Sequence, residues 1–386
     1  MLTQAGQRRS GTLERAGWVV LALGLPALVA ASAVHPHDAA GAATQDWPPF
    51  VLVTGLLVVG LVARDDGLFD LAGSFVAQAA KGGWSLFVGA AVLVALVTAT
   101  LNLDTAVAFL TPVLVVAARR RGTSELPLLY LGVFMANGAS LLLPGSNLTN
   151  LIVLGSSHQA GAAFAAAMAL PWAAAVVVVT VVVGAAHRRS LASSGESQRE
   201  PVHARMGGGL PAVAIVLVAM LVLPPAGAAV AAIAAGAAAA TWTATRRRMG
   251  LDELRRTVAA PLLVGLFSIA VALGALGRAW DGPHRLLAHA SSAVTAIVGA
   301  GASVVVNNLP AASLLAARPP PQAHALLIGL DLGPNLAVSG ALSALLWLQV
   351  SRTVGARPNV LRYSALGAVV VPLSMAAALG ALGLHT

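Results

Sequence analysis

The sequence predicts an all-α, polytopic membrane protein of two inverted-topology repeats, each with a re-entrant helical hairpin and a discontinuous helix. Three observations predict this fold. Of the 386 residues, 58% are hydrophobic and 10% are charged, with a mean hydropathy of +0.84, and a water-soluble fold cannot bury that much apolar surface. Basic residues fall in short runs between apolar segments, as expected of loops on one side of a membrane. Polar interruptions recur in both halves of the chain.

The composition also excludes several classes of function. The chain has no cysteine, which excludes disulfides, thiolate metal sites and thiol catalysis. The net charge of +9 resides in the basic runs between spans, so it predicts membrane topology and no nucleic-acid partner. No Walker A sequence, nucleotide fingerprint, HExxH or nucleophile elbow occurs. We therefore predict no catalytic residue, no metal ligand, no cofactor and no enzymatic activity.

The first repeat is predicted at residues 1–186. Its first apolar span, 17–34, has the outline of a secretory signal peptide, but we expect it to be retained as a membrane helix. A hairpin is predicted at residues 83–118, because Lys81 and Arg119–Arg121 flank its two ends and basic loops lie on the cytoplasmic side. This hairpin must therefore enter the membrane from the inside and return to the inside.

Two segments are predicted to be discontinuous helices. The break in residues 126–158 falls at Pro144-Gly145, and the break in residues 323–350 falls at Gly333-Pro334. Proline removes a backbone N–H and glycine tolerates unusual backbone angles, so neither pair suits an unbroken helix. Each break leaves free carbonyl groups on one side and free amide groups on the other, where a ligand can bind.

A polar, basic linker at residues 187–209 separates the repeats and is predicted to be cytoplasmic. The second repeat is predicted at residues 210–386, with an outward hairpin at 291–317. The loop at residues 35–46 has no lysine or arginine, which favours the outside. These assignments place the N-terminus in the cytoplasm and the C-terminus outside. They predict a multi-pass protein of the plasma membrane, or inner membrane.

The polar interruptions of the two halves correspond to each other. "PGSNLTN" at 144–150 aligns with "LGPNLAV" at 332–338, so that Asn147 matches Asn335. Upstream of each lies an asparagine-containing turn, "NLDTAVAFLTP" from residue 102 and "NNLPAA" from residue 307. Matched interruptions in two inverted halves are typical of a transporter binding site at the bilayer midplane.

Two carboxylates at membrane depth are the strongest candidates for coupling. Asp104 lies in the first hairpin turn, and Asp331 lies on the last helical turn before the second break. A carboxylate at the bilayer centre costs at least ~2.5 kcal/mol on insertion scales, so it needs a purpose such as carrying a proton. The alternative for Asp104 is a turn that reaches an aqueous surface as an ordinary loop.

The predicted substrate-binding side chains are uncharged amides and hydroxyls. Each could instead cap a helix or bond to a neighbouring helix, and these alternatives stay open. Asn335 and Ser339 are four residues apart, so we expect them to share one face of the half-helix after the break. Tandem amides suit a neutral, polyhydroxylated solute. The full set is Asn102, Thr105, Ser146, Asn147, Thr149, Asn150, Asn307, Asn308, Asn335 and Ser339.

Three segments resemble the arsenite/antimonite efflux permeases of the ion transporter superfamily, over roughly residues 50–386. They are "SNLTNLIV" (146–153), "VNNLPAA" (306–312) and "DLGPNLAVSGALSALLW" (331–347). The resemblance implies export of trivalent arsenic or antimony driven by protons, in some members with a soluble ATPase subunit. The chain departs from the family at Asn102-Leu103-Asp104, where members often have an Asn-Asp pair, and at Gly340-Ala341-Leu342, where members have Gly-Ser-Leu.

We therefore predict a secondary active transporter that exports As(OH)3-like hydroxides by proton antiport with alternating access. Asp104 and Asp331 would bind a proton outside and release it inside. Sodium is an alternative coupling ion, and a sodium/proton antiporter or a sodium-coupled carboxylate or sulfate symporter is an alternative function. A membrane scaffold without transport activity would leave the paired polar breaks without a purpose. The predicted partners are a small metalloid substrate and membrane lipid, with a soluble ATPase subunit and a homodimer left open.

Overall fold

The computed structural model describes residues 2–155, 161–192, 207–246 and 250–384; for residues 2–14 and 16 it describes the backbone alone. Most of the predicted linker at 187–209 lies outside the described residues. Within the described ranges every regular element is a helix, and seven helices are long and apolar enough to cross a membrane. The predicted all-α, polytopic fold is confirmed.

The first half contains nine α-helices and one 3₁₀ turn within the described ranges. They are α1 (Leu2–Val34), α2 (Pro36–Asp65), α3 (Leu68–Ala79), α4 (Gly83–Thr100), α5 (Leu103–Arg120), α6 (Leu126–Ala139), a 3₁₀ turn (Pro144–Ser146), α7 (Leu148–Gly155), α8 (Gly161–Ala186) and α9 (Arg188–Ala192).

The described part of the second half contains ten α-helices and two 3₁₀ turns. They are α10 (Gly209–Val222), α11 (Pro225–Arg246), α12 (Leu251–Val258), α13 (Ala260–Ala279), α14 (Gly282–Ala288), α15 (Ser292–Val306), α16 (Asn308–Leu315), α17 (Ala323–Leu332), 3₁₀ turns (Gly333–Leu336 and Val338–Gly340), α18 (Leu342–Thr353) and α19 (Val360–Gly383).

The same order of elements occurs twice. A membrane helix (α2 or α13) is followed by a short helix (α3 or α14), a hairpin (α4–α5 or α15–α16), a discontinuous helix (α6–α7 or α17–α18) and a closing helix (α8 or α19). The two closing helices pack against each other. The half-helix α7 packs on the hairpin arm α16, and α18 packs on the hairpin arm α5. Each repeat therefore completes the packing of the other.

The two hairpins open at opposite ends of the protein. Arg121 after α5 donates to the carbonyl oxygen of Ala77 at 3.3 Å, which places the open end of the first hairpin beside the end of α3. Gln45 near the start of α2 donates to the carbonyl oxygens of Ala316, after α16, and Ile152, in α7, at 3.2 and 2.8 Å. Because α3 follows the other end of α2, the repeats are inverted.

Glycine contacts interleave the repeats further. The first helix α1 packs on α13 of the second repeat, where Gly24 faces Gly265. In turn α11 packs on α2, where Gly55 faces Gly236. A Cβ at Gly24 or Gly55 would overlap the opposing backbone, so small residues are required for this close approach, as is common between membrane helices.

The arginine runs gather at one end of the protein, which we call the basic end. Arg64 at the end of α2 pairs with Asp65 and with Glu253 of α12. Arg119 at the end of α5 pairs with Glu125 and donates to the carbonyl oxygen of Val354, after α18, at 2.8 Å. The positive-inside rule associates such an end with the cytoplasm. The sides on which the termini lie, and the choice of membrane, stay predictions.

Candidate functional site

The two breaks predicted from Pro144-Gly145 and Gly333-Pro334 are present. The first holds one 3₁₀ turn followed by extended Asn147, which directly precedes α7. The second holds two 3₁₀ turns and ends at extended Ala341, which directly precedes α18. By position Ala341 is thus the counterpart of Asn147, and the predicted match of Asn147 with Asn335 is wrong.

Asp331 lies where the two broken helices meet, and its side chain is fully buried. One carboxylate oxygen accepts hydrogen bonds from Thr149 Oγ1 at 2.6 Å and Asn147 Nδ2 at 2.9 Å. The other accepts from Ser140 Oγ at 3.2 Å. A carboxylate of the second repeat is therefore held by the break of the first repeat. Three donors compensate for the water that it loses on burial.

A second pair of side chains joins the same two helices. Asn137 Nδ2 donates to Asn335 Oδ1 at 2.7 Å, and Asn335 Nδ2 donates to the carbonyl oxygen of Phe134 at 3.3 Å. Ser140 connects the two groups, because its single hydroxyl hydrogen is shared between Asp331 and the carbonyl oxygen of Asn137, which lies 2.8 Å from the hydroxyl oxygen. We name the connected set the central polar cluster: Asn137, Ser140, Asn147, Thr149, Asp331 and Asn335.

Sequence reasoning missed Asn137 and Ser140. They lie on the last turn of α6 and just after it, the position that Asp331 holds in the second repeat. A usable signal was available, since polar residues on the last turn before a predicted break point towards the same centre. Both side chains are fully buried, as are those of Thr149 and Asn335. The cluster is thus closed to solvent in this conformation.

Three asparagines cap the helices that start at the hairpin tips and at the first break. Asn102 Oδ1 accepts from Thr105 N at 2.7 Å, Asn147 Oδ1 accepts from Thr149 N at 3.2 Å, and Asn307 Oδ1 accepts from Leu309 N at 3.4 Å. In each case the amide oxygen satisfies the helix end, which leaves the amide nitrogen to donate elsewhere. Capping and ligand binding are therefore compatible roles for these residues.

The tip of the first hairpin carries unused polar atoms. Asn102 Nδ2 and Thr105 Oγ1 are buried without a hydrogen-bond partner among the described residues, as is Thr98 Oγ1 on the preceding turn. Burying such a group unpaired costs ~1–3 kcal/mol, which a ligand bearing hydroxyl or carboxylate oxygens would offset. Ser146 ties this tip to the first break by donating to the carbonyl oxygen of Ala99 at 3.0 Å.

Asp104 lies in the first turn of α5, two residues from Asn102, and is half-buried. Within the described ranges no hydrogen bond or ion pair engages its carboxylate. The N-terminal dipole of α5 favours a negative charge at this position. The predicted coupling role of Asp104 stays a prediction.

The remaining predicted residues have different surroundings. Asn150 Nδ2 donates to the carbonyl oxygens of Ser140 and Leu143, which satisfies the break itself. Asn308 is buried, and its side chain forms no hydrogen bond with another described residue. Ser339 is exposed, and its carbonyl oxygen accepts from Asn307 Nδ2 at 3.2 Å.

The expectation that Asn335 and Ser339 share a helical face is wrong. Asn335 is fully buried, and extended Ala337 separates the 3₁₀ turns to which the two residues belong. Helical periodicity does not apply across such a break, so the i, i+4 spacing has no meaning here. Ser339 consequently lies outside the central polar cluster.

A surface pocket of about 430 Å³ opens between α3 and α5, lined in part by Asp70, Ser74 and Arg120. It contains none of the predicted site residues. The two discontinuous helices, α6–α7 and α17–α18, meet at the central polar cluster and not at this pocket.

Comparison with known proteins places this architecture in a family. Residues 13–342 match the family model CitMHS, described as citrate transporter. The chain belongs to the CitMHS family. The solved structure of the YdaH transporter of Alcanivorax borkumensis, described as revealing an unusual topology, aligns with 96% of this chain and 98% of its own at a TM-score of 0.60. At 16% sequence identity this likeness concerns the fold.

The CitMHS match and the YdaH fold both describe transporters, so the chain is a membrane transporter and not an enzyme. The class expected from the sequence, a multi-span transporter of the ion transporter type, is confirmed. The substrate of this CitMHS-family member and the role of each site residue stay predictions.

Replacing Asn102 by serine is expected to weaken substrate binding while preserving the fold. Serine keeps a capping oxygen for α5 but lacks the amide nitrogen that points into the hairpin tip. We expect the apparent substrate affinity to fall about tenfold, as for the loss of ~1.4 kcal/mol of hydrogen bonding, with a melting temperature within a few degrees of the parent. Binding and thermal unfolding of the purified protein are the measurements.

The matched control for this substitution is Asn359→Ser. Asn359 caps α19 in the same way, since its Oδ1 accepts from Arg362 N at 3.1 Å, but it lies outside the central polar cluster. Equal losses of affinity in both variants would show that Asn102 acts only as a cap.

Proposed function

We propose that this CitMHS-family protein exports a small, uncharged, hydroxylated solute of the As(OH)3 or Sb(OH)3 type in exchange for protons. One observation carries the proposal. The central polar cluster consists of amides and hydroxyls around a single carboxylate, and no lysine, arginine or histidine among the described residues bonds to any of its side chains. The carboxylate of Asp331 repels an anion that enters this site, and no positive charge compensates for the repulsion. A neutral hydroxide is not repelled.

The unpaired groups of the first hairpin suit such a solute. Each hydroxyl of As(OH)3 donates one hydrogen bond and accepts others. Asn102 Nδ2 is a donor, and Thr105 Oγ1 both donates and accepts. Because the chain has no cysteine, recognition must use oxygen and nitrogen rather than arsenic–sulfur bonds.

Asp331 supplies the coupling in this proposal. The ionised carboxylate accepts from three donors, and two of these donors, Ser140 and Thr149, are hydroxyls that can rotate to accept instead. Protonation therefore needs only a local reversal of one hydrogen bond. Since the donors come from one repeat and the carboxylate from the other, a change of proton occupancy acts directly on the contact between the repeats.

Citrate is the second candidate substrate. The family model is described as citrate transporter, and four helix N-termini, those of α5, α7, α16 and α18, begin at the hairpin tips and breaks. Helix N-termini favour anions. Sodium coupling and a sodium/proton antiport remain alternatives to proton-coupled export. A soluble ATPase subunit and a second copy of the chain stay predicted partners.

One experiment distinguishes the two candidate substrates. Everted membrane vesicles with this chain, energised by respiration, are supplied with arsenite or citrate, and accumulation is measured with protonophore or sodium ionophore present. We expect arsenite accumulation that the protonophore abolishes and the sodium ionophore does not affect. Accumulation of citrate and not arsenite would replace the proposal by the second candidate. Loss with the sodium ionophore alone would assign sodium as the coupling ion.

A further inference from the structure

One buried face of α18 is polar. Ser343, Trp347 and Ser351 follow each other at intervals of four residues, and at most 1% of each is exposed. Residues four apart lie above one another on a helix, so the three side chains form a single line. We name this line the α18 stripe. It runs from the second break to the basic end, where Arg119 bonds to the carbonyl oxygen of Val354.

The α18 stripe begins at the central polar cluster. Ser343 Oγ lies 3.5 Å from Asn137 Oδ1, and Asn137 is joined through Ser140 to Asp331. Ser343 is therefore the first group of α18 that can exchange a hydrogen bond with the groups around the coupling carboxylate.

Further along, the stripe carries polar atoms that no described residue satisfies. Trp347 Nε1 and Ser351 Oγ are both buried without a hydrogen-bond partner within the described ranges. His187 Nε2, just beyond the end of α8, is a third such atom, and 3% of His187 is exposed. The ring of Tyr130 contacts both His187 and Trp347, with centroids 5.7 Å apart in each case. Two of the three residues with unpaired groups, Trp347 and His187, therefore contact the same aromatic ring.

His187 has one ring nitrogen that is an unused hydrogen-bond acceptor. Its Nδ1 lies 2.9 Å from the carbonyl oxygen of Val183, which can only accept, so Nδ1 carries the hydrogen and Nε2 keeps a lone pair. Burial lowers the pKa of His187, and the nearby guanidinium of Arg362 lowers it further, against the bond to Val183. Arg362 lies over the ring of Tyr130, at 5.9 Å, and Tyr130 OH is bonded to Asn359.

We propose that the α18 stripe binds a file of water molecules that carries protons between Asp331 and the basic end. The inference rests on the proton coupling proposed above. Ser343 and Ser351 are eight residues apart on α18, or ~12 Å along the helix, and about three waters in contact with one another at ~2.8 Å span that distance. These waters pass Trp347 without a break, so the line is complete although the indole N–H does not relay a proton.

The groups of the stripe have distinct parts in the transfer. The hydroxyls of Ser343 and Ser351 each accept one proton and pass one on, so that neither changes its charge. Trp347 Nε1–H only donates, so it orients a water without relaying a proton. The proton that leaves Asp331 is taken up at His187 Nε2 and released to water at the basic end. Import of a proton to Asp331 from that end uses the same groups in reverse.

The test follows the proton at Asp331 directly and needs no substrate. The purified full-length protein in lipid nanodiscs is given a pH jump, and infrared difference spectroscopy follows the Asp331 carboxyl band, which Asp331→Asn identifies by its loss. We expect Trp347→Phe and the double variant Trp347→Phe/Ser351→Ala to slow the relaxation of this band about tenfold, since one unit of ~1.4 kcal/mol in the barrier is tenfold in rate.

Two matched controls separate the stripe from general effects of substitution. Trp172→Phe removes another unpaired buried indole N–H, in α8 and away from the stripe. Ser374→Ala removes a buried hydroxyl that bonds only within α19, at 2.7 Å from the carbonyl oxygen of Val370. Both are expected to relax at the parental rate.

An unchanged rate in Trp347→Phe, whose ring keeps the packing, would overturn the inference. So would equal slowing in the controls. A band that Asp331→Asn leaves intact would instead show that Asp331 does not titrate, and this result would remove the proposed coupling role together with the route. A failure of arsenite transport with a normal infrared result would count against the proposed substrate alone.

Discussion

Asp331→Asn is expected to abolish proton-driven uphill transport while leaving the protein folded. Asparagine has the size and shape of aspartate, but it cannot take up or release a proton in the physiological range. The amide oxygen still accepts from Thr149 and Asn147, so the contact between the repeats is retained. If each turnover requires one protonation of Asp331, we expect the accumulation of arsenite in everted vesicles to fall at least ~100-fold, the effect of ~2.7 kcal/mol.

Exchange of arsenite across the membrane without a proton gradient distinguishes coupling from binding. The Asp331→Asn variant should retain exchange, because its site can still alternate with the carboxylate replaced by a neutral group. The matched control is Asp281→Asn, a carboxylate at the surface end of α13 that pairs with Arg318 at 2.7 Å. Parental uphill accumulation by Asp331→Asn, or an equal loss in Asp281→Asn, would contradict the coupling role of Asp331.

Gly329→Ala is expected to produce a large loss of stability. A Cβ at Gly329 of α17 would overlap the carbonyl group of Ala296 of α15, and one at Gly299 would lie 2.9 Å from the carbonyl oxygen of Leu326. The hairpin and the broken helix therefore meet backbone to backbone. Because backbone cannot move aside like a flexible side chain, overpacking here costs ~1–3 kcal/mol or more.

Gly301→Ala is the matched control, since a Cβ at Gly301 of α15 has no neighbour within 4 Å. The same chemical change on α15, the helix that Gly329 packs against, should leave the stability of the protein unaffected. Thermal unfolding in detergent, together with the yield of monodisperse protein, measures both variants. We expect a melting temperature lower by several degrees for Gly329→Ala and unchanged for Gly301→Ala. Equal stability of the two would show that the α15–α17 contact can relax.

The positions of the breaks were predictable because proline and glycine act locally. Pro144-Gly145 and Gly333-Pro334 interrupt α6–α7 and α17–α18 as the sequence predicts. The length of the second break was not predictable in the same way. Gly340 packs directly on Pro334, where a Cβ would overlap the proline backbone, so the chain folds back through a second 3₁₀ turn before α18 begins. That contact exists only in three dimensions.

The candidate site was predictable in part for the same reason. Asp331 and Asn147 are conspicuous because they lie beside a helix breaker, and the structure brings them within 2.9 Å of each other. Asn137 lies within an apolar helix, and its partner Asn335 is 198 positions away in sequence. The position of Asn137 on the last turn before a predicted break indicated that it faces the centre, but no local pattern shows which distant residue it contacts. The carboxylate and amide beside the breaks were therefore predictable, but the full set of residues in the central polar cluster was not.

The packing of α1 on α13 has a consequence for biosynthesis. The ribosome completes α1 roughly 225 residues before it starts α13, and at ~5–20 residues per second the delay is about 10–45 s. During this interval the partner helix α13 is absent, and surrounding lipid or the insertion machinery must cover the glycine-lined face of α1. Truncated products that end before α13 carry an orphan first helix, which quality-control proteases can recognise. Assembly of this transporter thus starts with its first segment and is completed only when its last third is made.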